Sequence, residues 1–218
     1  KERQLYFKPS VLGCGFGMGK AKFHARYMPK EPLELAEQCV NTYRDDWAPG
    51  VPKLWRGLEK AAITAVWDRV PASFGPFTFA IEDEWLTCLM PSGRKLYYFK
   101  PRTARRAMPW DHHDIRPAWT YLAQKAGHMA TVDAYGGHLT ENVTQALARD
   151  LLYDRAMAAE REGFPLVLTV HDEIVCEVEE SRADAKVLQQ IMEDRPKWAK
   201  DLGVPVGAEC WSGERYRK

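Results

Sequence analysis

The triplet His171-Asp172-Glu173 lies between two apolar runs, Leu166 to Val170 and Ile174 to Val178. Short apolar runs with a polar break read as strand, tight turn, strand. Two adjacent carboxylates on a rigid turn suit a hard cation. Magnesium takes one or two protein carboxylates and fills its remaining positions with water and substrate phosphate oxygens. Strands this apolar are expected to be buried, and a buried carboxylate is costly unless it is paired or bound to metal. A polar turn that simply faces water is the alternative, and residue types alone leave both open.

A second chemistry is suggested by glycines at 13, 15, 17 and 19, with Lys8 before them and Lys20, Lys22 and Arg26 after. Glycine beside lysine is the composition of a phosphate cradle, but the familiar templates fail. A P-loop would need Gly at 14 and Ser or Thr at 21, where the chain has Cys14 and Ala21. The dinucleotide fingerprint would need its third Gly at 18 or 20, where Met18 and Lys20 stand. Pro9 suits a first helical turn, so a helix is expected from Lys8 or Pro9 to about Tyr27. Each interior glycine costs it roughly 0.5–1 kcal/mol. Four of them imply that something approaches the backbone closely, or that the helix bends or breaks.

A rival metal set combines His112-His113-Asp114 with His171-Asp172, in the manner of a histidine/aspartate phosphohydrolase. Adjacent side chains of an extended segment point apart, which disfavours it.

The elements that must hold these residues read as follows. Leu33, Ala36, Val40, Tyr43 and Trp47, then Val51, Leu54, Leu58, Ala61 and Ala65, follow helical spacing and predict two amphipathic helices. Trp85 to Met90 and Lys95 to Lys100 flank Pro-Ser-Gly-Arg and predict a β-hairpin. Residues 101–118, rich in Arg, Pro and His, read as a loop. A long helix follows Gly136-Gly137, with Leu139, Val143, Leu147 and Leu151 four apart, and ends near Gly163. Ser181 can cap a final helix with a face of Val187, Leu188, Ile191 and Met192, ended by Pro196. Helices first, then hairpins and helices mixed, predict an α+β fold.

The 218 residues are 45% apolar and 11% aromatic, enough for a real core in one large domain or two small ones. The net charge of +1 carries no global signal for nucleic acid, although residues 1–30 hold seven Lys or Arg against Glu2 alone. Five scattered cysteines without a C-x-x-C suggest neither a disulfide framework nor a zinc site and fit a reducing cytoplasm. No apolar run approaches the ~20 residues of a membrane span, and no signal peptide is recognisable.

Taken in order, three segments resemble the C-terminal part of family A DNA polymerases, especially the bacteriophage branch. Lys8, Leu12-Gly13 and Phe16-Gly17 match the spacing of the second polymerase motif. Tyr135 to Asp150 looks like the segment under the primer–template. Val170-His-Asp-Glu-Ile174 is the third motif, and the tail Trp211 to Lys218 looks like a phage polymerase terminus. The resemblance implies that the glycine helix lies over an incoming dNTP, with Lys8 and Arg3 on its phosphates, Leu12 and Gly13 against the nucleotide, and Phe16 and Gly17 at the template base. It implies Asp172 as a Mg2+ ligand of a two-metal site, with Glu173 supporting it. His171 would hold the primer backbone, and Gln145 and Arg149 the duplex.

The chain departs from the family in three places, one of them Leu12, which stands where bacterial members have an aromatic residue and phage relatives do not always. The first motif, an Asp followed by Ser-x-x-Glu, lies upstream of the glycine helix in the family; here no Asp precedes Lys8. The chain alone is therefore expected to be inactive, a fragment or split subunit completed by a second polypeptide or upstream segment with the other Asp and the thumb. Arg3 stands five residues before Lys8, where the family has four; on a helix this rotates it roughly 140° away, and Gln4 takes the family's position. The expected organisation is a fingers-like part over 1–110 and a palm-like part over 111–218, working in a bacterial host cytoplasm. The alternative is a catalytically silent module that binds DNA or a replication partner.

Overall fold

A computed structural model describes residues 8–108 and 111–216, and its architecture is α+β. Three short helices come first: α1 (Lys8–Cys14), α2 (Lys20–Tyr27) and α3 (Leu33–Asn41), the last continuing as a π-helical turn over Thr42–Trp47. Cys14, Phe23, Met28, Ala36, Val40 and Tyr43 form their common core. The expected single helix over 8–27 is thus broken at the glycines. Helix α4 (Gly50–Trp67) buries Leu58, Ala61, Ala62, Ala65 and Val66, as its spacing predicts, and packs on the first two strands of the sheet.

That sheet is a six-stranded antiparallel meander in sequence order: β1 (Ala72–Phe74), β2 (Phe77–Glu82), β3 (Trp85–Leu89), β4 (Lys95–Met108), β5 (Asp111–Lys125) and β6 (His128–Ala134). Four of its turns hold a residue at positive φ: Gly75, Asp83, Gly93 and the pair Ala126-Gly127. Ala126 and Gly127, both at positive φ, close the two-residue β5–β6 loop, as the twist of a tight hairpin requires. The β3–β4 hairpin is where the sequence predicts it. Residues 101–118, expected as a loop, instead belong largely to β4 and β5. The prolines and charges there are tolerated because this stretch has no other strand beside it. Pairing of β5 with β6 begins only at Trp119, so Pro117 pairs with β4 alone, and an edge position needs no second N–H. Trp119 is fully buried and meets Tyr98 edge-on, with ring centres 5.4 Å apart.

Helix α5 (Gly136–Arg161) follows the glycine pair as expected, and the chain's two compact units, Lys1–Thr144 and Gln145–Lys218, divide within it. The boundary expected at 110 falls between β4 and β5, which pair along most of their length. In the second unit β7 (Leu166–Val170) and β8 (Glu173–Cys176) form the hairpin around His171, a two-stranded sheet of its own. The burial expected of these strands is not found: Val167 is 56% and Leu168 47% exposed. β8 is half-buried throughout while β7 is left exposed at its centre, and a sheet of two strands is marginal in water by itself.

Helix α6 (Ala185–Glu193) carries the apolar face read from the sequence, but Ser181 does not cap it. Ser181 lies in a 3₁₀ turn, and Asp184 is the cap, its Oδ1 accepting from the backbone N–H of Lys186 at 2.9 Å and Val187 at 3.2 Å. Nor is α6 final: Pro196 precedes a further short helix, α7 (Lys197–Asp201). Asp184→Ala is expected to cost about 1 kcal/mol, read as a lowered urea midpoint; Ser181→Ala is expected to leave the midpoint unchanged.

Candidate functional site

Each sequence-predicted residue near the first helix has a defined place. Lys8 opens α1 and is exposed, and Leu12, one turn on, is 50% exposed. Between them and the core the helix turns Pro9, Gly13 and Cys14 inward. A Cβ on Gly13 would come 3.0 Å from Phe23 and 3.1 Å from Tyr27, so the close approach at this glycine is made by the chain's own aromatic rings. Gly17 has φ +88°, its N–H bonds to the Cys14 carbonyl at 3.2 Å, and Met18 N–H reaches back to Gly13 at 3.1 Å. That paired pattern is a Schellman stop with glycine at the left-handed position. Gly13 and Gly17 are thus explained by helix packing and helix termination, and what α1 offers outward is an amine and an apolar side chain one turn apart. Arg3 lies outside the described residues.

The stop is pinned from several sides. Trp55 Nε1 donates to the Gly15 carbonyl at 2.8 Å, Arg44 Nη2 donates to the Met18 carbonyl at 2.9 Å, and the Arg44 guanidinium sits over the Trp55 ring, 5.3 Å from its centre. The start of α5 closes on the same turn. A Cβ on Gly136 would strike the Trp55 backbone, and one on Gly137 would strike the carbonyl of Phe16, whose side chain is half-buried. Sequence reasoning marked Phe16 and the glycine pair separately; the structure brings them into contact. Trp55 and Arg44 were missed, since nothing in their spacing distinguishes them from an ordinary helix face.

Behind this junction lies a polar network. His138 Nε2 meets the Tyr121 hydroxyl at 2.8 Å and Asn142 Nδ2 at 3.4 Å, and Asn142 donates to the Tyr98 hydroxyl at 3.2 Å. Burial holds the His138 imidazolium below its ordinary range, opposed by the nearby Glu141 carboxylate and assisted by Lys125. A histidine whose folded pKa is depressed contributes stability that is complete above its unfolded value, near 6.5, and is lost as pH falls from there through the folded value. The melting temperature is therefore expected to fall as pH drops below about 6.5. In His138→Gln that acid limb is expected to flatten; thermal melts across the range check it.

The residues of the second unit are arranged as follows. Gln145 and Arg149 are exposed one turn apart on α5, and the Arg149 guanidinium lies over the Tyr153 ring at 5.2 Å. They form one outward stripe of amide, cation and aromatic ring. His171 and Asp172 make the two-residue loop of the β7–β8 hairpin, with Val170 paired to Glu173. His171 takes φ +54°, a left-handed conformation that histidine adopts more readily than most residues. Asp172 is exposed and makes no hydrogen bond or ion pair among the described residues. Glu173 is half-buried and accepts a hydrogen bond from the Tyr216 hydroxyl at 2.8 Å. Tyr216, 43 residues further on, was not foreseen as a partner. The two carboxylates are thus unequal: one is free at the tip, and the other is tied. Asp172 stands on the surface rather than in a buried pocket.

This donor set fits a magnesium ion that shares its shell with substrate oxygens, since that ion needs only one or two protein carboxylates. It does not amount to a self-sufficient metal cage: no three His, Cys, Asp or Glu side chains cluster as ligands among the described residues. The phosphohydrolase set gains nothing from the structure, for Asp114 is held by Arg116 in a two-pronged ion pair, with Nε at 3.0 Å and Nη2 at 2.6 Å. No helix among the described residues is long and apolar enough to cross a membrane.

Against known proteins, 170 residues, 77% of this chain, are 34% identical to a DNA polymerase of Bacillus phage SP02. The chain is similar to a phage DNA polymerase. The match takes in 25% of that relative, so the chain spans about a quarter of its length. No protein-family model matches the chain, and no solved structure matches it significantly.

Proposed function

We propose that this chain is the nucleotide- and metal-binding part of a family A DNA polymerase of the bacteriophage branch, working in a bacterial host cytoplasm. The observation that carries the reading is the 34% identity over most of the chain to a phage DNA polymerase. The outward placing of Lys8, Leu12 and Asp172 supports it, since each is exposed and neither charged group has a partner among the described residues. In this reading α1, the glycine stop and the sheet belong to a fingers-like part, and the α6 and His171 hairpin region belongs to a palm.

Magnesium, when bound, supplies the positive charge that neutralises the attacking 3′-oxygen and the leaving pyrophosphate oxygen. Asp172 holds it. Glu173, fixed by Tyr216, supports the site from beside the turn rather than as a second free ligand. Lys8 contacts the triphosphate of the incoming dNTP as a point charge, where negative charge grows during transfer. Leu12 packs on the nucleotide. Phe16 stacks at the template base, and Gly13 and Gly17 give the helix the shape that presents these side chains. His171 holds the primer backbone. Gln145 and Arg149 touch the primer–template without reading its sequence, as suits a copying enzyme.

One carboxylate ligand cannot make a two-cation clamp. The reading therefore includes a second polypeptide or further segment that contributes the other Asp. The exposed apolar residues Val167 and Leu168 of β7 are consistent with a further strand packing there. The test is primer extension with Mg2+. The chain alone is expected to give none; combined with a polypeptide bearing the missing Asp motif and thumb it is expected to extend a primer. Failure of the combination, with both parts folded and DNA bound, would count for the alternative of a silent DNA-binding module.

A further inference from the structure

The stretch from Arg94 to Arg116 holds seven Lys or Arg against two Asp, in a chain whose net charge is only +1. It is not a flexible tail. Past Lys100, whose N–H still donates to the Glu84 carbonyl at 2.8 Å, β4 has no partner in β3, and before Trp119, β5 has none in β6, so among the described residues this part is a two-stranded ribbon with no third strand on either edge. Its base is held to α4 and to the end of β6: Trp67 Nε1 donates to the Ala118 carbonyl at 2.9 Å, and Arg106 reaches Glu59 of α4 at 3.8 Å and the Ala134 carbonyl of β6 at 2.5 Å. A two-stranded ribbon is of a size to lie along a nucleic-acid groove.

The arginines divide by what they do. Arg106 is committed to the fold, and Arg116 to Asp114. Arg69 and Arg102 are exposed and make no ion pair among the described residues, and Arg105 is exposed, its guanidinium 5.9 Å from the centre of the Trp67 ring. Arg69, Lys100 and Arg102 converge on a cleft of about 390 Å³ together with Asp83, Glu84 and Pro101. Lys100 offsets Glu84, at 3.6 Å. Three residues of this cleft, Arg69, Asp83 and Lys100, take positive φ, at 58°, 52° and 47°. Non-glycine residues in this region are uncommon and strained, and they cluster where function demands a fixed geometry.

Edge protection is the simpler explanation of charges on a bare ribbon. It calls for charge but not for one sign of it. Nor does it call for a cation from outside the strands, as Arg69 is. An excess of cations, seven Lys or Arg against two Asp, on an extended ribbon matches a polyanion of regular spacing.

We propose that the β4–β5 ribbon is a DNA-binding surface distinct from the Gln145–Arg149 stripe, gripping phosphates of the primer–template duplex through Arg69, Arg102 and Arg105. It rests on the polymerase reading for its choice of polyanion. The contacts are electrostatic, so they strengthen binding without sequence preference and are lost with salt.

The test uses the chain combined with the polypeptide that supplies the missing Asp. Duplex affinity is measured by fluorescence anisotropy across salt concentrations, and primer extension is followed at saturating DNA. The triple variant Arg69→Ala, Arg102→Ala, Arg105→Ala is expected to bind at least tenfold more weakly at ~0.1 M salt. Its slope of log affinity against log salt is expected to be smaller by about 2–3, near one per phosphate contact. Extension at saturating DNA is expected to persist. The triple Arg→Lys variant, which keeps the charges, is expected to recover most of the slope and guards against misfolding. Extension with unchanged affinity and slope in the Ala variant overturns the ribbon proposal and leaves the polymerase reading standing. Arginine-dependent duplex binding without extension in any form overturns the polymerase reading and upholds the ribbon. A wild-type complex that does not bind duplex overturns both.

Discussion

Asp172→Asn is expected to lower nucleotide addition by the completed enzyme roughly 10³-fold or more, a loss of about 4 kcal/mol of transition-state stabilisation, while primer–template affinity stays within about twofold. The size follows from the charge removed. Asn keeps the shape of Asp but contributes no net charge to a hard cation, and phosphoryl transfer depends almost wholly on charge neutralisation and positioning. The selectivity follows from the structure. Asp172 is exposed at the tip of the β7–β8 hairpin and has no partner among the described residues, so the folded state loses nothing when its charge is removed. Stability is expected to change by less than about 0.5 kcal/mol, as for other exposed sites. Single-turnover extension, duplex binding and a urea melt on one preparation separate the three quantities. Glu173→Gln is expected to cost less, because that carboxylate is already engaged by the Tyr216 hydroxyl at 2.8 Å.

Gly137→Ala is expected to destabilise the chain by about 1–3 kcal/mol, the usual cost of forcing extra volume into a packed place. The added methyl would strike the Phe16 carbonyl and lie 2.8 Å from the Tyr135 ring. A ring at the end of a flexible side chain could swing aside; a carbonyl inside a helix stop cannot, since Phe16 is flanked by bonds that fix Gly17 and Met18. Alanine's better helix propensity, worth up to about 1 kcal/mol in a helix interior, offsets only part of this. The urea midpoint is expected to fall with the slope unchanged. Gly50→Ala is the control: nothing lies within 4 Å of its added carbon, so it is expected to be neutral or mildly stabilising. Equal behaviour of the two variants would contradict the close junction between the glycine stop and α5.

What could be read in advance depended on whether the deciding interaction was local. Helices α4 and α5 were legible because a long stripe of apolar residues at helical spacing has no competing explanation, and Leu58, Ala61, Leu139 and Val143 are buried accordingly. The break after α1 was only half legible. Four glycines signalled that a helix would be disturbed, but the Schellman stop at Gly17 needs Met18 to fold back on Gly13, a geometry that composition does not specify. Residues 101–118 do not read as strand because alternation is masked when prolines and arginines occupy an edge, and β6, only seven residues long, carries too short an alternation to stand out. Ser181 looked like a cap, yet Asp184 stood three residues nearer the helix; choosing between two capping residues requires the backbone. In the site, the hairpin and the placing of His171 and Asp172 in its turn followed from pattern. The exposure of β7 did not, because an apolar strand carries no mark of whether its cover lies within the same chain. Tyr216, Trp55 and Arg44 act over 43, 40 and 26 residues of sequence separation, beyond the reach of any spacing argument.

The role of Asp172 as metal ligand is open to a direct chemical measurement. Fe2+ is substituted for Mg2+ in the completed enzyme with primer–template and dNTP, and ascorbate with peroxide then generates hydroxyl radicals at the bound ion, which cut the nearest backbone. Mapping the fragments by mass spectrometry is expected to show cleavage at His171 to Glu173 in the wild-type chain and its disappearance in Asp172→Asn. Cleavage absent from that hairpin, or present there and unaltered by the substitution, would contradict the account.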